Sequence, residues 1–561
     1  MQTKKNKRVK WIALLAVASM LMVSACSSNS SNSNKEVNAT ESPDDTPTNT
    51  PADTGPLSKY DPPITITAVK DDSSKSFLPE SDTVENNVWT KGYEEELGIK
   101  VTYNWVVPTA NFGDKMNVTL AGGDLPDLMS VNGTQLKQLI EADKVEDLTS
   151  VYETYASPLL KSMVEADDKL GMNAVTFDNK LYAIANYTGV LDSAPMIWIR
   201  QDWLKKLNLE APKTMQDVNA IAKAFTNNDP DGDKKNNTYG FVISKGLHQD
   251  WMLQPTAFFN GYHAQLGSWV KDSSGSSYVY SSIQPEVKEA LAQLQQFYKE
   301  GVIDPEFGTK DIDKALETVN SGKAGMIFGP MYAPFNIGEI IKTNKEADWL
   351  AYPVVSIDGE KAYAQTPAPN SNAYVVRKGY ANPEALIKLL NFQVEKMYGE
   401  SSVTERKKYT GESDQAWHAA VVSVLPPNKN VKAQINISEA LKANDPSKLN
   451  TEEKGYYDGI VKYRAGDMTQ WWNERIFGPD SSQGVLKFYM ENNLTIANDY
   501  IFANTKTMDS KKATLDKLEL ETFTKIIYGA ESIDAFDKFV ENWKKLGGDQ
   551  ITEEVNEVLK P

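Results

Sequence analysis

The chain has 561 residues, with 76 acidic against 59 basic side chains. Setting aside five basic residues crowded near the N-terminus leaves 54 against 76, net −22, a balance that argues against nucleic acid and against electrostatic adhesion to anionic lipid. A single cysteine rules out internal disulfides, so the folded part must be stable through core size. About 500 residues exceed what one core usually covers, which predicts at least two lobes.

In chain order, Lys4, Lys5, Lys7, Arg8 and Lys10 precede an apolar run from Trp11 to Val23. That run is short for a membrane span, which takes about 20 residues. It ends in Ser24-Ala25 before Cys26, the layout of an export signal over 1–25. The arrangement resembles the bacterial lipobox, which implies a diacylglyceryl group on Cys26 and cleavage just before it; an ordinary signal with an incidental cysteine is the alternative. Lipidation would anchor the protein to the extracellular face of the cell membrane in the Gram-positive manner, through lipid only. Residues 26–60 are dominated by Ser, Asn, Thr, Pro and Asp and cannot bury a core, so they are read as a disordered tether.

The body then alternates strand and helix patterns. Ile64 to Val69, Lys100 to Val106 and Leu128 to Val131 read as strands, with helices over Val88 to Leu97 and Phe112 to Leu120. Tyr239 to Ser244, Ala324 to Phe328 and Ala373 to Arg377 continue the style. Such alternation predicts an α/β body built on parallel βαβ units. No later apolar run reaches spanning length. At the C-terminus, Phe536, Phe539, Val540 and Trp543 recur at helical spacing, and Gly547-Gly548 is expected to end that helix.

Catalytic signatures are scarce. His248, His263 and His418 have no partner at metal-ligand spacing, and neither a G-x-S-x-G elbow nor a P-loop occurs, so no catalytic residues are assigned. A glycoside hydrolase needs only two suitably placed carboxylates and stays open as an alternative, as does a surface adhesin. The positive signal is aromatic: 12 Trp and 25 Tyr, several beside Asn, Gln or Asp in segments that do not read as core. Sugars want that pairing, C–H faces on rings and hydroxyls on planar amides or carboxylates. Trp89, Tyr187, Trp251, Tyr332 and the pair Trp471-Trp472 are candidate platforms, each with core packing as the competing reading. Trp198, Trp203 and Trp543 are assigned to packing.

Asp229, Asp231 and Asp233 stand at alternate positions of a tight loop, followed by Lys235, which offers its backbone carbonyl, and by Asn237 and Thr238. Carboxylates so spaced converge on one point and suit Ca²⁺. Against this, Lys234 replaces the usual Gly, Gly240 stands where a bidentate Glu would be, and an ion-free surface turn would use the same residues.

The stretch from Asp178 through Met196-Ile-Trp-Ile-Arg200 to Asp202 and Pro212-Lys-Thr214, together with Gly122 to Leu128, Gly322 to Pro330, Asn382 to Phe392 and Phe536 to Gln550, resembles extracellular solute-binding proteins of the sugar-binding type. It is similar to the lipoprotein subgroup that includes alginate- and other oligosaccharide-binding members. The resemblance implies a two-lobed periplasmic-binding-protein type II fold over 61–561, hinged around an interlobe ligand cleft. Lobe 1 would comprise about 61–195 and 366–430, lobe 2 about 200–365 and 431–561, with Met196 to Arg200 as a strand crossing between them. It implies a monomer that binds an oligosaccharide and serves two ABC permease subunits and, through them, an ATPase. Family position adds Asp82, Asn87 and Asn132 to the candidate ligand residues, and the acidic loop looks like the calcium loop of alginate-binding relatives.

Overall fold

The computed structural model describes residues 55–166, 169–186, 190–367, 372–411, 415–501 and 503–559. Cys26 and Tyr187 lie outside them. Two hydrophobic cores form within the compact unit Asn49–Pro561. The first draws on Tyr60 to Ala185 and Ala373 to Val424, the second on Ala194 to Ala364 and Val431 to Val555. The chain therefore changes lobe between Ala185 and Ala194, between Ala364 and Ala373 and between Val424 and Val431.

In lobe 1 the strand Ile64–Asp71 runs parallel to Ile99–Val107, with a register shift at Ala68/Val69. Leu128–Val131 pairs antiparallel with Ala373–Val376, which also takes Ile184–Ala185. Asp127 ties these sheets together: its Oδ2 accepts from Thr67 N (2.9 Å) and Thr67 Oγ1 (2.7 Å), and its Oδ1 accepts from Arg377 Nη2 (2.7 Å). In lobe 2 one sheet has the order Trp349–Tyr352, Met196–Arg200, Ala324–Gly329, Tyr239–Phe241. Both inner strands are buried at every position, because helices cover both faces. The helix Met215–Asn227 lies so close that a Cβ on Gly240 would stand 2.5 Å from Ala222 O. Glycine is required there by proximity.

Three expectations are corrected. The pairing is not parallel throughout: Ile64/Ile99, Ala324/Tyr239 and Ala364/Thr495 are parallel, but the three-stranded sheet of lobe 1 is antiparallel and Met196–Arg200 is antiparallel to both neighbours. Side-chain pattern carries no strand direction, and a strand entering lobe 2 from the hinge runs opposite to strands that begin inside it. Second, Met196–Arg200 does not cross between lobes; it is central to the lobe 2 sheet, and the preceding stretch makes the crossing. Third, Gly547 at φ 134° kinks the C-terminal helix without ending it, and the chain resumes as Asp549–Val558.

Local signals elsewhere behave as their chemistry requires. Asp178 and Asn179 take φ 49° and 60° in a two-residue hairpin turn. Thr214 caps Met215–Asn227 in a reciprocal box with Asp217. Trp198, Trp203 and Trp543 are buried, as expected.

Candidate ligand-binding site

One cavity of about 590 Å³ is lined by both lobes. From lobe 1, the strand Ile64–Asp71 ends at Lys70 and Asp71 and leads into the turn Ser73–Phe77. The Phe77 ring stacks on His418 (centroids 5.1 Å, 24°), and His418 stacks on Trp417 (3.8 Å, 23°). Phe77 and Trp417 face the cavity. From lobe 2 come Met331, Phe335 and Trp472, the last two 5.0 Å apart. Trp198 Nε1 donates to Pro330 O (3.3 Å) and Ser482 Oγ donates to Met331 O (2.9 Å), so buried groups set the position of this wall.

A second cavity of about 300 Å³ adjoins the same lobe 2 segment, lined by Ser193, His248, Trp251, Gln254, Tyr332 and Gln365 among others. Trp251 is 49 % exposed and lies 6.2 Å from Tyr332 at 30°. Its loop is held from behind: Ser244 N donates to Leu253 O (2.9 Å), Gly246 N to Asp250 Oδ2 (3.1 Å), and His248 Nε2 stands 3.1 Å from Glu519 Oε1. An exposed ring on a braced loop is a pre-organised platform, which limits the entropy lost on binding.

Charged groups ring this region. Glu452 of lobe 2 joins Lys429 Nζ and Arg406 Nη2 of lobe 1, the latter at 3.2 Å. Burial pushes the Glu452 carboxyl up, but Lys429 and Arg406 hold it below the ordinary range. Asp192, in the first crossing, accepts from Asn430 Nδ2 (2.6 Å) and Gln483 Nε2 (3.0 Å). Burial raises its pKa in spite of those bonds. These contacts link the first crossing to helices that follow the last one.

A family model for the bacterial extracellular solute-binding proteins matches residues 78–399. The chain belongs to that family. Among curated relatives of this solute-binding protein, Lipoprotein LipO of Bacillus subtilis (strain 168) is 25 % identical over 84 % of this chain and 88 % of its own. The polygalacturonan/rhamnogalacturonan-binding protein YtcQ of the same organism is 23 % identical over 84 % and 87 %. Of solved structures, an HMO-binding ABC-transporter-associated solute-binding protein from Bifidobacterium longum infantis superposes with TM-score 0.63 at 16 % identity, covering 88 % of this chain and 98 % of its own. An EF-hand mutant of the Streptococcus pneumoniae substrate-binding protein FusA, in complex with fructo-nystose, gives 0.60 at 17 % over 88 % and 98 %.

The structure divides the candidate ligand residues of the solute-binding protein. Trp251, Tyr332 and Trp472 line the two cavities. Trp89 does not. It is fully buried, its Nε1 donates to Tyr409 O (3.0 Å) and Ala416 O (3.1 Å), and it packs on Tyr93, Phe392 and Tyr409. Asn87 is buried as the cap of the helix beginning at Val88; its Oδ1 accepts from Trp89 N and its Nδ2 donates to Val84 O and Thr83 O. Trp471 is buried, donating to Asp348 Oδ1 (3.1 Å). Asn132 caps the helix Gly133–Glu141, its Oδ1 taken by Gln135 N (2.9 Å). Asp82 stands 3.9 Å from Lys91 Nζ and outside both cavity walls. Polar neighbours that suggested a sugar site around Trp89 serve helix capping instead. Sequence reasoning passed over Phe77, Phe335 and Trp417, which line the larger cavity. Phe77 could have been noticed as the aromatic side chain in the polar run Asp71-Asp-Ser-Ser-Lys-Ser-Phe77 after a strand.

In the acidic loop, one carboxylate oxygen from each of Asp229, Asp231 and Asp233 lies within 4.8 Å of the others. Lys234, where Gly was expected, adopts φ 63°. Asn237 Oδ1 is buried without a hydrogen-bond partner, while Asn237 Nδ2 donates to Asp233 Oδ2 (2.9 Å). Three carboxylates and an unspent amide oxygen fit a hard divalent cation. Lys323 Nζ supplies the counter-charge, 3.0 Å from Asp231 and 3.4 Å from Asp233. Thr238 is a correction: its hydroxyl is buried and donates to Phe225 O (2.8 Å), so it anchors the loop to the helix rather than facing the carboxylates. The Lys235 N–H donates to Asp233 Oδ1 (2.8 Å), folding the loop around the cluster.

Proposed function

We propose that this solute-binding protein captures an oligosaccharide between its lobes and delivers it to two ABC permease subunits and their ATPase, held outside the membrane by lipid on Cys26. The observation that carries the reading is the aromatic lining of both walls: Phe77 and Trp417 on lobe 1, Phe335, Trp472 and the exposed Trp251 on lobe 2. Rings stack on sugar C–H faces, and Gln254, Gln415 and Asn430 offer planar amides to hydroxyls. The FusA and YtcQ names support a sugar ligand. Among the described residues no helix is long and apolar enough to cross a membrane.

The acidic loop takes a structural Ca²⁺ through Asp229, Asp231, Asp233, the Lys235 carbonyl and Asn237. Calorimetry of an oligosaccharide panel, with chromatography of the same mixtures, tests the function. Stoichiometric binding without shorter products is expected; released shorter sugars would identify a glycoside hydrolase, and no binding across the panel would remove the sugar reading. Cys26→Ala should be exported yet released to the medium, and a variant still membrane-bound and acyl-labelled like wild type would remove the lipoprotein reading.

A further inference from the structure

The larger cavity carries an ion pair that joins its two walls. Arg406 Nη2 and Glu452 Oε2 stand 3.2 Å apart, with side chains 6 % and 9 % exposed, and both residues line the space of about 590 Å³. Arg406 belongs to lobe 1. It sits on the helix Ser402–Thr410, its Nη1 donates to Met397 O (2.7 Å), and its guanidinium lies 5.8 Å from the centre of the Tyr398 ring, both on the long helix Ala385–Tyr398. Glu452 belongs to lobe 2. It lies in the first turn of Thr451–Arg464, a helix capped by Asn450 and Glu453, and its Oε1 accepts from Tyr456 Oη (2.9 Å) of the same helix and from Lys429 Nζ. Lys429 opens the helix Lys429–Ala443, whose Val431, Ala433 and Ile437 are part of the lobe 2 core and which packs against Thr451–Arg464.

Each charge therefore keeps partners in its own lobe. Parting the lobes would break the bond between Arg406 and Glu452 and strand neither ion, whereas a buried pair whose members depend on one another alone resists separation strongly. Exposed ion pairs contribute little, but this one is shielded. A ligand resting on Trp417 of one wall and Trp472 of the other would exclude more water from it and strengthen the attraction. A second bond between the lobes, from Asn504 N to Thr134 Oγ1 (3.3 Å), is uncharged and lies outside both cavity walls.

We propose that Arg406 and Glu452 are a positioning pair for capture: an ion pair made across the cleft as the lobes close, which favours the closed form and slows escape of the bound ligand. This rests on the reading of capture between the lobes and deepens it by naming a contact that holds them together. The pair acts on closure, so its loss should appear in the rate of release, with the rate of encounter nearly unchanged.

The test uses the mature protein, with small-angle scattering in the absence of sugar and stopped-flow tryptophan fluorescence against maltotriose, raffinose, xylotetraose and tri-galacturonate. Arg406→Met and Glu452→Gln should each speed release about tenfold and change association by less than about threefold. The double variant should release no faster than the singles, since the two substitutions remove one interaction. Arg406→Lys, which keeps the charge, should recover part of the loss. Without sugar, both single variants should be less compact than wild type. Should Arg406→Met not fold, Glu452→Asp, one methylene shorter and still beside Lys429, reads the same bond and should also speed release. Release rates equal to wild type in the single variants, or a double variant whose effect is the product of the two, would overturn the proposal while leaving sugar capture intact. If no sugar of the panel binds wild type, the sugar reading fails and scattering judges the pair by itself: equal compactness of wild type and single variants would overturn it.

Discussion

The segment around Trp89 and the segment around Trp251 look alike in sequence, each a tryptophan preceded by amide and acidic side chains. In the fold they do opposite things. Asn87 spends its amide on the backbone of its own helix and carries Trp89 into the lobe 1 core, where the indole N–H is also spent. Around Trp251 the loop braces itself through Asp250, His248 and backbone bonds, and the ring is left outward beside Tyr332. What separates a binding aromatic from a structural one is therefore whether folding has already used its face and its neighbours' hydrogen bonds.

The contrast breaks most visibly under truncation. Trp89→Ala should cost about 3–5 kcal/mol of stability, since a large fully buried ring leaves a cavity. Denaturant unfolding measures it, and a loss below 1 kcal/mol would contradict the core assignment. Any folded fraction should still bind sugar normally.

Trp251→Ala should do the reverse. Unfolding free energy should stay within about 0.5 kcal/mol, while sugar affinity drops by about 1–3 kcal/mol, read by calorimetry. Equal affinity in mutant and wild type would move the platform to Phe335 and Trp472.

The acidic loop sharpens the same distinction with a smaller effect. Most of its hydrogen bonds are satisfied within the loop, but Asn237 Oδ1 and the clustered carboxylates keep capacity for a ligand. Calcium at ten times its dissociation constant should add about 1.4 kcal/mol, seen as a melting temperature that rises with calcium and falls with chelator. Asp231→Ala should erase the difference. Identical melting of wild type in chelator and in millimolar calcium would leave an ion-free turn braced by Lys323.

Much of the architecture was legible in the sequence because it is set by local periodicity and stereochemistry. The strands at Ile64, Leu128 and Ala324 and the convergent carboxylates all depend on residues close in the chain, whose backbone preferences act before any tertiary contact. The family motifs run along the same stretches. Strand direction and the allocation of aromatics and charges were settled only in three dimensions. The Trp89 pocket is closed by Phe392 and Tyr409, roughly 300 residues away in sequence. The cleft wall brings Phe77 onto His418, which stacks in turn on Trp417, from segments far apart in the chain. Burial is a property of what packs on a residue from elsewhere, and no local pattern records which side chains will find every hydrogen bond spent and which will be left facing the cleft.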